Sequence, residues 1–180
     1  HYKAEVVIGN AARFTDVKNQ SFLIDLIYEY NKNGNNAVLL LAGDGPTKVR
    51  CEQYSKDLGI ENSVCFLGNI NDMPEFYNKL DVFVLPSLHE GLPVSIIEAQ
   101  ACGIPCIISS NITTECDLGL NIVDRLSLDE SLEVWTHRIK ELSFKKEYDS
   151  IKIYNKITYQ GYSIDSVINK LISIYNSERN

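Results

Sequence analysis

Four side chains in two separated pairs could carry chemistry together. Arg13 and Lys18 stand five residues apart, just after the first apolar run. An arginine can grip two phosphate oxygens with one planar fork, and a lysine adds a point charge, so the pair suits a diphosphate. Two solvated loop cations would have the same spacing. Glu90 and Glu98 belong to the stretch His89-Glu90-Gly91-Leu92-Pro93-Val94-Ser95-Ile96-Ile97-Glu98, which runs on to Gly103. Glu98 falls in a helical stretch that is apolar almost all round, about one and a half turns in, where a carboxylate needs a partner. It could accept two hydroxyls of a ribose or ion-pair with a neighbouring helix. Glu90 lies in the loop ahead. It could touch a sugar, balance Lys18, or sit at a helix start where the dipole favours an acid. Gly91 lets backbone approach a ligand closely. A helix beginning at Leu92, with Pro93 at its first position and Gly103 just past its end, would point free N–H groups the same way.

Other chemistries are harder to read. No G-x-G-x-x-G follows the first strand and no G-x-x-x-x-G-K-[ST] occurs, so the standard dinucleotide and P-loop fingerprints are absent. No Asp-x-Asp pair could hold a divalent metal against a diphosphate, and no Ser/His/Asp or Cys/His arrangement is legible. His89 could be an acid-base group or a loop packing residue, and His137 reads as surface. The five cysteines are odd in number and lack C-x-x-C spacing, which predicts free thiols in a reducing compartment and no metal centre. A net charge of −7 and a pI near 5.0 argue against a nucleic-acid surface, although a small anion needs only local positive charge. The apolar runs are of strand length, so no spanning segment or signal peptide is expected. The chain starts without Met, which implies a piece cut from a larger protein.

The elements that must position these residues alternate along the chain. Strands are predicted at Glu5–Gly9, Ala37–Ala42, Ser63–Leu67, Asp81–Leu85 and Pro105–Ser109, with a sixth at Leu120–Val123. Helices are predicted from Phe22 to Tyr30, stopped by Asn33-Gly34-Asn35-Asn36, from Thr47 to Leu58, and from an Asp72 cap with Pro74 near the start. Further helices are expected over Asp129–Leu142, Lys145–Tyr159, and a final amphipathic one carrying Ile164, Val167, Ile168, Leu171, Ile172 and Tyr175. The strands are continuous apolar runs, the mark of a parallel sheet covered on both faces. The expected fold is α/β, a Rossmann-like doubly wound parallel sheet in one domain over residues 1–180. Its core covers about 1–160 and a last helix about 163–178. Ligands in such sheets bind at the carboxyl ends of strands. Arg13, Lys18, Gly43, Gly68, Glu90 and Gly91 all follow strands and would share one rim.

From about Val6 to Gly119 the chain resembles the C-terminal, donor-binding half of the retaining family 4 glycosyltransferases. Those enzymes have the two-domain GT-B fold, and the likeness is to their exopolysaccharide and capsular branch. The residues that carry it are Ala12-Arg13-Phe14 with Lys18-Asn19, Gly43-Asp44-Gly45-Pro46, Val64-Cys65-Phe66-Leu67-Gly68, and Asp81-Val82-Phe83-Val84-Leu85 leading into Glu90-x7-Glu98. Two positions depart from the family pattern: Ala12 stands where glycine is usual, and Ile112-Thr113 stands where many members carry Gly-Gly.

The resemblance implies site roles. Arg13 and Lys18 would hold the diphosphate and stabilise the departing nucleotide without a metal or cofactor. Glu98 would bind the ribose and Glu90 the donor sugar, with backbone at Gly91, Leu92 and Pro93 near its hydroxyls and the phosphates. Asn69 and Ile70 would meet the base. Arg13, Lys18 and Glu90 are the catalytic candidates.

It also implies partners: a nucleotide-diphospho-sugar, expected to be UDP-linked, and a glycan or lipid-linked acceptor held by an N-terminal domain outside this chain. The fragment alone would then catalyse little. A cytoplasmic bacterial hexosyltransferase of cell-surface polysaccharide synthesis is implied, with no membrane contact from this domain. Peripheral attachment at the inner face of the plasma membrane is an expectation for the whole protein. A nucleotide-sugar epimerase of GT-B type and a non-catalytic nucleotide-sugar-binding subunit are the alternatives.

Overall fold

The computed structural model describes residues 4–32, 34–144 and 149–177. Six strands form one parallel sheet: β1 (Val6–Ala11), β2 (Ala37–Ala42), β3 (Val64–Gly68), β4 (Val82–Leu85), β5 (Cys106–Ser109) and β6 (Val123–Leu126). Their order across the sheet is β3-β2-β1-β4-β5-β6. The helices are α1 (Gln20–Lys32), α2 (Lys48–Asp57), α3 (Met73–Asn78), α4 (Val94–Ala101), α5 (Leu132–Ser143), α6 (Ser150–Tyr159) and α7 (Ile164–Ser177). The expected doubly wound α/β architecture is what forms. None of the described helices is long and apolar enough to cross a membrane.

The apolar runs are continuous because each strand has a helix layer on both sides. In β2 every residue is buried. Leu39 and Leu41 face the layer of α1, α2 and α5, where they join Leu23, Ile27, Cys51 and Trp135. Val38, Leu40 and Ala42 face the other layer and meet Phe76, Tyr77 and Ile96 from α3 and α4. Alternate residues of one strand thus feed two cores.

The strand order reverses between β1 and β4, the place where such sheets open a ligand crevice. The pairing of β1 with β4 runs only through Ile8↔Val82 and Gly9↔Phe83. One residue further on, the buried Asn10 side chain substitutes for the ladder: its Nδ2 donates to the Val84 carbonyl at 2.8 Å. Among the described residues, no further ladder pair joins these two strands toward their carboxyl ends.

Several boundaries differ from the sequence reading. The sixth strand begins at Val123 rather than Leu120, because Asn121 is in the left-handed region (φ 60°) and breaks the extended run. The apolar residues Leu118, Leu120 and Ile122 are buried for another reason: they pack with Ile97 of α4 and Ile153 of α6. The helix after Pro93 begins at Val94, two residues later than expected. Pro93 is its extended N-cap (φ −75°, ψ 99°), not its first residue, while Gly103 follows the end as expected (φ 71°). Asp72 does cap α3, accepting from the Glu75 N–H at 2.9 Å. Asn33 of the predicted helix stop, residues 145–148 of the polar helix, the Tyr175 side chain and residue 178 lie outside the described residues.

Candidate functional site

The loop after β1 and the loop after β4 flank the crevice, and three contacts tie them together. Lys18 Nζ donates to both oxygens of Glu90, at 2.5 and 2.6 Å. Asn19 Nδ2 donates to the Pro86 carbonyl at 3.2 Å. The Leu88 N–H donates to the Val17 carbonyl at 2.8 Å. Asn19 itself sits in the left-handed region (φ 56°), which closes the short 3-10 turn Asp16–Lys18 and turns the chain into α1. Asparagine tolerates that conformation better than most residues.

Glu90 is held from a second side. Ser87 Oγ donates to its Oε1 at 2.6 Å, and Ser109 Oγ from the end of β5 donates to the Ser87 carbonyl at 2.5 Å. Ser87 and Ser109 are fully buried. The chain of contacts therefore runs from β5 through the second loop to Lys18. Of the alternatives for Glu90, the balance of Lys18 is the one present. An ammonium has three donors, and two are spent here, so Lys18 can still reach another acceptor.

Arg13 differs. It is exposed, and its guanidinium has no ion pair or hydrogen bond to another described residue. Its backbone is fixed: the carbonyl accepts from Gln20 Nε2 at 3.1 Å. With Lys18 balanced by Glu90, Arg13 supplies uncompensated positive charge to the rim.

The Gly43-Asp44-Gly45-Pro46 turn braces this loop from below. The Phe14 N–H donates to the Asp44 carbonyl at 2.9 Å, and the Thr47 N–H to the Phe14 carbonyl at 3.3 Å. Both glycines are required. Gly43 has φ 125°, and a Cβ there would lie 2.2 Å from the Ala12 carbonyl oxygen. At Gly45 (φ 154°) it would lie 2.3 Å from the Phe14 carbonyl oxygen. Lys48, two residues past Pro46, is a rim cation that sequence reasoning passed over. Its Nζ lies 3.9 Å from Asp44 Oδ2, and 3.9 Å from where a Cβ on Gly68 would be. It opens α2, six residues past the end of β2, and so falls outside the residues that directly follow a strand.

Glu98 is the fifth residue of α4, one turn in rather than one and a half, because the helix starts later. It has a protein partner that the sequence did not reveal. Tyr77 OH, from α3, donates to Glu98 Oε2 at 2.8 Å and lies 3.2 Å from the Ser95 carbonyl. Burial, followed by the adjacent Glu98 carboxylate, pushes the Tyr77 phenol well above its ordinary range, so it stays a proton donor. Neither the ribose nor an ion pair is needed to explain a carboxylate here. Its Oε1 remains open to a further donor.

The other predicted residues fall along the same rim. Asn69 is exposed and Ile70 half-buried after β3, Gly91 and Leu92 are exposed, and Pro93 is buried. His89 and His137 are exposed. All five cysteines are free thiols. Among the described residues, no group of three or more His, Cys, Asp or Glu gathers where a metal could bind. A cavity of about 440 Å³ lies at the opposite, amino-terminal ends of β4 and β5, between Asp81, Cys102, Pro105, Ile153 and Ile157. It shares none of the rim residues.

The chain is similar to several known proteins. Over 171 residues the chain is 39% identical to EpsF of Bacillus subtilis (strain 168), covering 95% of this chain and 44% of that protein. Over 152 residues it is 30% identical to the UDP-Gal:alpha-D-GlcNAc-diphosphoundecaprenol alpha-1,3-galactosyltransferase of Escherichia coli, covering 75% of this chain and 38% of the other. The chain thus spans less than half the length of these relatives. The fold matches that of Anabaena Alr3699/HepE, solved in complex with UDP-glucose, with a TM-score of 0.74 at 24% identity over 96% of this chain and 49% of that one. Residues 1–118 match the family model of the glycosyl transferases group 1, and it is to that family that the chain belongs.

Proposed function

We propose that this chain is the donor-binding half of a retaining, metal-independent glycosyltransferase. The whole protein would move a sugar from a UDP-sugar to a glycan or lipid-linked acceptor in cell-surface polysaccharide synthesis, on the cytoplasmic side. The observation that carries the reading is the stapled pair of loops at the β1/β4 switch point, which leaves the Arg13 guanidinium unpaired among the described residues, beside a Lys18 that Glu90 already balances. A diphosphate would take Arg13 as a two-pronged partner and the third donor of Lys18. Both cations would then stabilise charge as it develops on the leaving phosphate oxygen, so no metal is required for that role. Glu98 would accept a ribose hydroxyl on Oε1 while Tyr77 holds Oε2. Glu90 and the backbone of Gly91, Leu92 and Pro93 would meet the sugar, and Asn69 and Ile70 the base.

The name of the Escherichia coli relative, a UDP-Gal:alpha-D-GlcNAc-diphosphoundecaprenol alpha-1,3-galactosyltransferase, supports the UDP-sugar and lipid-linked assignments. The acceptor would be held by a further domain. The apolar face of α7, with Ile164, Val167, Ile168, Leu171 and Ile172 exposed, suits packing against it.

A thermal-shift panel of UDP, GDP, ADP and their sugars tests the reading, because a ligand that binds only the folded state must raise its stability. UDP and at least one UDP-sugar should raise the melting temperature. No shift with any nucleotide at millimolar concentration would sink the proposal.

A further inference from the structure

Behind the first rim loop, two buried polar atoms have no hydrogen-bond partner among the described residues, and the residues that carry them both line one small pocket. They are Gln20 Oε1 and Thr47 Oγ1, on residues 2% and 7% exposed. The pocket holds about 140 Å³ and is lined by Thr15, Asp16, Asn19, Gln20, Thr47 and Arg50, among others. The orientation of the Gln20 amide is fixed by its neighbour: only Nε2 can donate to the Arg13 carbonyl, so Oε1 is the end left over. Arg50 and Asp16 pair with each other on the wall, so the pocket presents no net charge to attract an ion. It is polar and roomy enough for water, which can donate to Gln20 Oε1 and also bond the Thr47 hydroxyl.

We propose that Gln20 is a positioning residue for Arg13: its Nε2 clamps the Arg13 carbonyl, and water bound in the pocket ties its Oε1 to Thr47 at the head of α2. The arrangement is a strut between the first turn of α1, the Arg13–Lys18 loop and the Gly43–Thr47 turn. It fixes the backbone from which the unpaired guanidinium projects. The inference rests on the donor-site reading, since it is phosphate binding by Arg13 that the strut would serve.

Gln20→Glu, Gln20→Met and Thr47→Val test it, with UDP as the probe. The carboxyl group that Gln20→Glu introduces can donate to the Arg13 carbonyl when protonated, whereas the ionised carboxylate cannot. The ratio of UDP affinity, Gln20→Glu over wild type, should be near one at about pH 5 and fall about fivefold to tenfold by about pH 8. Taking the ratio at each pH cancels the titration of UDP itself. The unfolding midpoint of Gln20→Glu, measured without nucleotide, should fall relative to wild type over the same window, because a raised folded-state carboxyl pKa contributes stability that is lost as pH rises. Gln20→Met should weaken UDP binding about fivefold to tenfold at every pH, and Thr47→Val about twofold to threefold.

A midpoint difference that does not vary with pH would overturn the clamp. A pH-dependent midpoint with a flat affinity ratio would reduce Gln20 to a structural role and overturn its positioning of Arg13. Thr47→Val with wild-type affinity would overturn the water tie. Failure of wild-type protein to bind UDP at all would remove the donor reading and this inference with it, and is told apart because the wild type itself is then silent.

Discussion

Removing one oxygen atom tests how Glu98 is held. Tyr77→Phe deletes the hydroxyl that donates to Glu98 Oε2 at 2.8 Å and lies 3.2 Å from the Ser95 carbonyl. The ring, 1% exposed among Phe76, Phe83 and Ile96, stays packed, so no cavity forms. A hydrogen bond to a charged acceptor contributes about 1.5–3 kcal/mol. Glu98 is half-buried, so water can replace part of the loss, and about 1–1.5 kcal/mol is expected. For a domain of this size that is a fall in melting temperature of roughly 3–5 °C.

A loosened Glu98 should also hold a ribose less well, weakening UDP binding about fivefold, or about 1 kcal/mol. The decisive step is a double-mutant cycle read by calorimetry. If Tyr77 acts through Glu98, then in a Glu98→Ala background Tyr77→Phe should change UDP affinity less than about twofold. An unchanged affinity for Tyr77→Phe alone would refute the link between this pair and the nucleotide. A fivefold effect that persists without Glu98 would refute the proposed route.

Two glycines of the rim should part company on substitution to alanine. Gly43→Ala meets the Ala12 carbonyl oxygen and a φ of 125°, and should cost about 2 kcal/mol or more by chemical denaturation, whereas Gly91→Ala has nothing within 4 Å and should leave stability unchanged. If Gly91 backbone approaches the sugar, Gly91→Ala should still weaken UDP-sugar binding more than UDP binding. Alkaline stability follows from Tyr54, whose pKa is pushed up from 10.0 to about 12, first by its hydrogen bond to Asp25 and then by burial. A raised folded-state value favours the protonated native form, so this contribution is whole below pH 10 and is lost as pH climbs through about 12. Denaturant midpoints at about pH 9 and about pH 11.5 should therefore fall further in wild type than in Tyr54→Phe.

The fold was legible because its physical causes are local. Ala37–Ala42 is apolar at every position, as a strand covered on both faces requires, and the alternation with helical periods leaves few topologies. The misplacement of β6 has an equally physical cause. Leu118, Leu120 and Ile122 are apolar because α4 and α6 cover them as a loop, and a buried loop and a buried strand look alike in one dimension. Arg13, Lys18 and Glu90 could be singled out because each follows a strand, and the structure brings Lys18 and Glu90 together across 72 positions of chain. The partners that fix the site were not legible. Tyr77 is one aromatic residue of an apolar helix face, Ser87 and Ser109 are small hydroxyls at strand ends, and Gln20 opens a helix. Nothing in their types or spacing says which atom each will meet, since those contacts are set by how helices and loops pack over the sheet.

The central claim is that this rim binds a nucleotide diphosphate through Arg13 and Glu98, without a metal. Calorimetric titration of UDP into the chain in the presence of EDTA tests it most directly. One saturable site is predicted, weakened about tenfold or more in Arg13→Ala and in Glu98→Ala, each variant retaining the wild-type far-ultraviolet spectrum. Binding that appears only when a divalent metal is supplied, or wild-type affinity in both variants, would contradict it.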